Sequence, residues 1–197
     1  MKELLKPIYT ALYEHLSLQN AGLIAGILLI VSHALVFVPS LNIAGRLKAL
    51  PRSQNAGTTL LTIALFLAWM VASCMDLGEF YTLRWLAVYA VPVIYLLLLF
   101  VMKDFLGSRG LGILVLLAVC PLLNAAFLKD PASRVLLSLL CYIWLTFALF
   151  WVGLPHTLRD QIDWLTRTPG RLRAFAGTGI VSGLILVFAA LSWWKGY

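Results

Sequence analysis

The chain has 197 residues, is 62% hydrophobic with a mean hydropathy of +0.94, and carries a net charge of +7. Soluble domains are roughly half apolar, so a water-soluble globular protein is excluded. Nucleic acid is not the expected partner of the positive charge. The basic residues sit at the ends of apolar runs, where they meet anionic lipid headgroups.

Residues 1–18 form a weak amphipathic segment. Leu5, Ile8, Leu12 and Leu16 share one face of a helix beginning near Pro7, with Lys6, Glu14 and His15 as its polar residues. The segment is too polar to span a bilayer and is expected at the interface. The first apolar run starts too far in, with no small-x-small exit, for a cleavable leader.

Residues 19–197 are expected to form a single transmembrane domain. Six apolar runs approach the ~20 residues that a spanning helix needs. They are Ala21–Val38, Gly57–Met75, Trp85–Met102, Leu111–Leu128, Val135–Leu154 and Ala176–Trp194. The expected fold is an all-α integral membrane protein, with six transmembrane helices as three hairpins.

Lys and Arg in the short loops set orientation. Arg46, Lys48, Arg52, Lys103, Arg109, Arg159, Arg167, Arg171 and Arg173 fall on one side. Lys2, Lys6, Arg84, Lys129, Arg134 and Lys195 fall on the other. The first set is larger and predicts a bacterial cytoplasmic membrane protein with both termini outside. Ala34–Val38 with Ala56-Gly57-Thr58 is echoed by Ala148–Val152 with Ala176-Gly177-Thr178, which raises the question of an internal repeat.

The longest polar interval, Pro155 to Thr178, predicts a short amphipathic cytoplasmic helix near 157–167. Thr157 and Asp160 have capping-box spacing. Leu158, Ile162 and Leu165 share a face, and Asp163 is placed for i,i+4 pairs with Arg159 and Arg167. Thr168-Pro169-Gly170 ends this helix. It reads as an interfacial connector, or alternatively as a docking face for a partner.

Gly22 with Gly26, and Gly179 with Gly183, form GxxxG motifs; Ala64, Ala68 and Ala72 form a further small-residue row. With spans beginning at Ala21 and Ala176, the two glycine motifs fall at opposite depths. Each is therefore expected to serve a different contact, with a homo-oligomer or another membrane subunit as the candidate partner for one of them.

The candidate intramembrane polar site is His33 with Cys120, Pro121 and Asn124. Pro121 frees a backbone carbonyl. Asn124 is an amide in hydrocarbon that needs a partner, and Tyr89, Tyr95 and Tyr142 are in neighbouring spans. His33 is a candidate haem, metal or proton ligand, or a hydrogen-bonding residue between helices. His156 is about 10 Å too shallow to share an iron with it.

Cys74, Cys120 and Cys141 lack CxxC or zinc-ligand spacing and read as small hydrophobes, with thiol redox chemistry as the alternative. Asp76, Glu79 and Arg84, with Lys129, Asp130 and Arg134, form an outer polar rim expected to be ion-paired, or alternatively a metal or headgroup site.

Gly107-Ser108-Arg109-Gly110 departs from the GxSG pattern, and no histidine lies in a later span to serve as its base. No other catalytic motif is present. No catalytic residue, resident metal or cofactor is therefore assigned. The leading expectation is a non-enzymatic subunit, scaffold or assembly partner; the alternatives are a small-solute transporter or channel and a lipid-modifying enzyme. The bilayer is the one assured partner.

Overall fold

A computed structural model of the chain describes residues 2–101 and 104–197. Met1, the expected end of the third span at Met102, and Lys103 lie outside the described residues. Among the described residues every regular element is helical, and six helices are long and apolar enough to cross a membrane. The chain is a multi-pass integral membrane protein.

Helix α1 (Lys2–Tyr9) runs into a wide π turn at Thr10–Glu14, closed by His15 N–H to the Thr10 carbonyl at 2.8 Å. The spanning helices are α2 (Leu18–Ala34), α4 (Gln54–Cys74), α5 (Arg84–Phe100), α6 (Leu106–Ala126), α7 (Val135–Gly153) and α9 (Pro169–Ser192). Two short helices, α3 (Ile43–Ala49) and α8 (His156–Thr166), lie in the basic loops. Side-chain oxygens cap three helices by accepting from backbone N–H groups: Ser17 from Asn20, Ser53 from Ala56, and Asn42 from Gly45.

Helix α9 starts seven residues before the expected Ala176. Pro169 takes its first turn, where a missing N–H costs nothing, so Arg171 and Arg173 are helical. This earlier start revises the register expected for the two glycine motifs. Gly183 falls near the middle of α9, as Gly26 does in α2, and the two face each other. A Cβ on Gly26 would lie 2.8 Å from the Gly183 carbonyl oxygen, and one on Gly183 would lie 2.7 Å from that of Gly26. Gly22 faces Trp194 and Ala190, and Gly179 faces the His33 ring. The motifs form one antiparallel seam instead of serving separate contacts.

The principal partner of α2 is α9, while α6 packs on both α7 and α4. Helices α4 and α6 start at the same end and run parallel. Gly57, Gly107 and Gly110 bring their first turns together, and a Cβ on Gly107 would overlap the Leu50 carbonyl oxygen. The largest buried cluster lies toward the opposite end, joining Leu18, Ala25, Leu122, Leu137, Cys141 and Trp194. The Trp194 indole donates to the Ser133 hydroxyl at 2.9 Å. By contrast α5 contributes no buried residue and rests chiefly on α4.

In the last basic loop, α8 turns Leu158 and Ile162 inward. The Trp151 indole of α7 donates to Gln161 at 2.9 Å. The apolar face that offered a docking surface as the alternative reading is turned against the chain itself at Leu158 and Ile162. The expected capping box is not formed: the Thr157 hydroxyl donates to the Leu154 carbonyl at 2.7 Å. Arg159 pairs with its neighbour Asp160 at 2.7 Å, not with Asp163.

Candidate functional site

The irregular point in the bundle is the last third of α6. Proline at 121 has no N–H, so the carbonyl four residues earlier, on Leu117, loses its helical donor. The Tyr13 hydroxyl takes that donor's place, at 3.2 Å from the Leu117 oxygen. In return the Asn124 side-chain amide donates to the Tyr13 backbone carbonyl. One residue of the N-terminal segment therefore answers both polar demands that the kink creates.

This arrangement depends on the π turn. The turn carries an extra residue per cycle and swings Tyr13 inward, stacked on Tyr9 with centroids 5.2 Å apart. The face turned to the bundle contains Leu5, Tyr9, Tyr13 and Leu16, while Ile8 and Leu12 are exposed. The expected Leu5, Ile8, Leu12, Leu16 face is corrected accordingly. Burial pushes the Tyr13 phenol up to about 12, with smaller contributions from Cys120 and Tyr9. Tyr9 is also raised, by burial first and then by the Glu14 carboxylate.

Asn124 does not lie inside the bundle. It is exposed, two residues from the end of α6, beneath the N-terminal segment. Nor are its partners the tyrosines of the spans. Tyr89 and Tyr142 point outward, and the Tyr95 hydroxyl lies 2.9 Å from that of Thr62.

His33 belongs to another place. It lies on α2 near the basic end, a rise of about 22 Å beyond Leu18, whereas Leu18 clusters with Ala125 and Ala126. It does not share a site with Asn124. Its Nδ1 is 2.9 Å from the Leu29 carbonyl, and its ring sits over Gly179, 5.5 Å from the Phe175 ring. These contacts suit a packing histidine.

Cys141 is buried in the core, Cys120 is exposed and Cys74 is half-buried at the end of α4; all three are free thiols. Among the described residues no group of three His, Cys, Asp or Glu side chains is placed to hold a metal.

The outer rim is organised by backbone carbonyls, not by the expected ion pairs. Arg84 donates to the carbonyls of Ser73 at 3.1 Å and Met75 at 2.9 Å, and lies over the Tyr81 ring. Arg134 donates to the Lys129 carbonyl. The last carbonyls of a helix have no intrahelical donor, so a guanidinium beside α4 satisfies groups that a carboxylate cannot. Asp76 accepts from Gly78 N–H at 3.0 Å, and Glu79 is exposed.

At the basic end, Arg52 and Arg159 both lie 5.7 Å from the centroid of Phe105. Sequence reasoning missed this cluster and the Tyr13 clasp. A pair of tyrosines four apart in the amphipathic N-terminal segment was the available signal for the clasp.

Compared with known protein families, curated proteins and solved structures, the chain shows no match.

Proposed function

We propose that the protein is a non-enzymatic membrane subunit or assembly partner that offers α5 to another transmembrane helix. The observation that carries this reading is a pair of features on one helix. Helix α5 has no buried residue, and its Pro92 removes the N–H that the Val88 carbonyl would accept. No side chain of the described residues donates to that carbonyl, in contrast to the Leu117 carbonyl of α6. Hydrocarbon offers no donor, so polar backbone in a span is normally satisfied by neighbouring protein. A partner helix with a hydroxyl or amide at this depth fits both Val88 and the exposed Tyr89 beside it.

Transport through a proline-kinked bundle has less support. The cavity beside α5 is apolar, lined by Leu61, Ala64, Ala68, Val91, Ile94 and Leu98 among others. All eight carboxylates of the chain lie outside the six spanning helices, which leaves no acid–base pair there for a lipid-modifying reaction.

We place the protein in a bacterial cytoplasmic membrane with both termini outside, because the basic residues concentrate at the end holding α3 and α8. A cysteine at position 167 is expected to label from the cytoplasm only. Labelling from outside would invert the topology.

The test of function is co-purification in mild detergent, with a photocrosslinking residue at Tyr89 or Val93 and, as a control, at the equally exposed Leu184 of α9. A stoichiometric adduct from α5 and none from α9 is expected. Adducts of the chain with itself identify the partner as a second copy. Lipid adducts alone, at all three positions, contradict the proposal.

A further inference from the structure

At the end opposite the basic loops, α1 and the π turn lie across the place where α4 ends and α5 begins. Between them is a cavity of about 200 Å³, lined by Glu3, Lys6, Tyr9, Glu14, Ser73 and Arg84 among others. Glu3, Lys6 and Thr10 follow the i, i+3, i+7 spacing of one helical face, and Glu14 comes from the turn beyond. The cavity thus gathers two carboxylates and two cations. None of the four is ion-paired with another; the ion pair recorded among the described residues is Arg159 with Asp160.

Arg84 is held in place without being neutralised. Its two terminal nitrogens each donate to a backbone carbonyl, and its Nε is buried without a partner. A guanidinium has five N–H donors, so three remain after these two bonds. The phosphate geometry suits a guanidinium, and carboxylates on the facing wall suit an ammonium.

The four charges sum to zero, which gives no net attraction to an anion and favours a neutral ligand with separated charges. The ends of spanning helices lie at headgroup level. From these features we infer that this cleft binds a zwitterionic phosphate–ammonium group, as carried by an aminophospholipid headgroup or by free glycerophosphoethanolamine. The phosphate faces Arg84 and Lys6, and the ammonium faces Glu3 and Glu14. The site is separate from the exposed face of α5 and does not depend on a partner there.

The test uses the full chain in detergent and native mass spectrometry, with dioleoyl phosphatidylethanolamine and dioleoyl phosphatidylglycerol added at equal concentration. Preferential retention of one phosphatidylethanolamine is expected. The double variant Glu3→Gln, Glu14→Gln should lose that retention at least tenfold, and Lys6→Gln should weaken it. All three side chains are exposed, so the melting temperature should not move. Free glycerophosphoethanolamine separates the sources: displacement of the lipid shows that the headgroup chemistry alone suffices, while a lipid that resists displacement identifies the membrane as the source. Equal retention of the two lipids, or unchanged retention in the double variant, overturns the inference.

Discussion

Helices α5 and α6 carry the same defect in opposite settings. Each has a proline in its interior, Pro92 and Pro121, and each therefore deprives a carbonyl four residues earlier of its donor. In α6 the Tyr13 hydroxyl supplies the missing bond, and the helix packs against α4, α7 and the N-terminal segment. In α5 no side chain of the described residues supplies it, and the helix rests chiefly on α4. The difference separates a kink that organises the monomer from a kink left open at its edge. In hydrocarbon no water repairs an open carbonyl, so the second kind is informative about what lies outside the chain.

The largest expected effect falls on the packing that makes α6 central. Gly107→Leu puts a side chain into the Leu50 carbonyl oxygen, where backbone cannot yield cheaply. Overpacking costs about 1–3 kcal/mol in ordinary cores and more against backbone. Loss of folded monomer by size-exclusion chromatography is expected. The same change at Gly177, which faces open space, is expected to leave the monomer intact.

Tyr13→Phe sharpens the comparison directly. It strands the Leu117 carbonyl, at a cost of about 1–2 kcal/mol. That corresponds to roughly 2–8 °C in melting temperature for a chain of this size. Pro121→Ala restores the helical donor, so Tyr13→Phe in that background should cost less than half as much. Equal costs in both backgrounds break the assignment of Tyr13 to the proline's carbonyl. Pro92→Ala should raise the stability of the isolated protein slightly while weakening its hold on a partner.

The smallest effect is on alkaline stability. Burial raises Tyr13 to about 12 from an ordinary value of 10. A raised acid favours the folded state fully below pH 10, where both states are protonated. That contribution is lost as pH rises from 10 towards 12, because the unfolded chain ionises first. A melting temperature that falls over this window in the wild type, and falls less in Tyr13→Phe, is expected.

These contrasts also mark what was legible in the sequence. Six spans, the break at Thr168-Pro169-Gly170 and the singularity at Pro121 and Asn124 could be read from hydropathy and from proline chemistry. The partner of Asn124 could not. Tyr13 lies 111 positions away, and a π turn that no 3.6-residue period anticipates brings it inward. The glycine motifs were visible, but their register depended on where α9 starts. A basic start to a span reads as loop by hydropathy, although Pro169 at the first turn was the available cue. Rim arginines suggested ion pairs because charge is legible and unsatisfied carbonyls at helix ends are not.

The central claim is that a side chain of the protein donates to the Leu117 carbonyl and that no side chain of the described residues donates to the Val88 carbonyl. Isotope-edited infrared spectroscopy reads this directly, with 13C=18O placed at one of the two carbonyls at a time in the purified monomer. The Leu117 band should lie at the lower frequency and move up in Tyr13→Phe. The Val88 band should lie at the free position, indifferent to that change, and move down when a partner helix is bound. A Val88 band already at the bonded position in the monomer, or a Leu117 band that ignores Tyr13→Phe, would contradict the account.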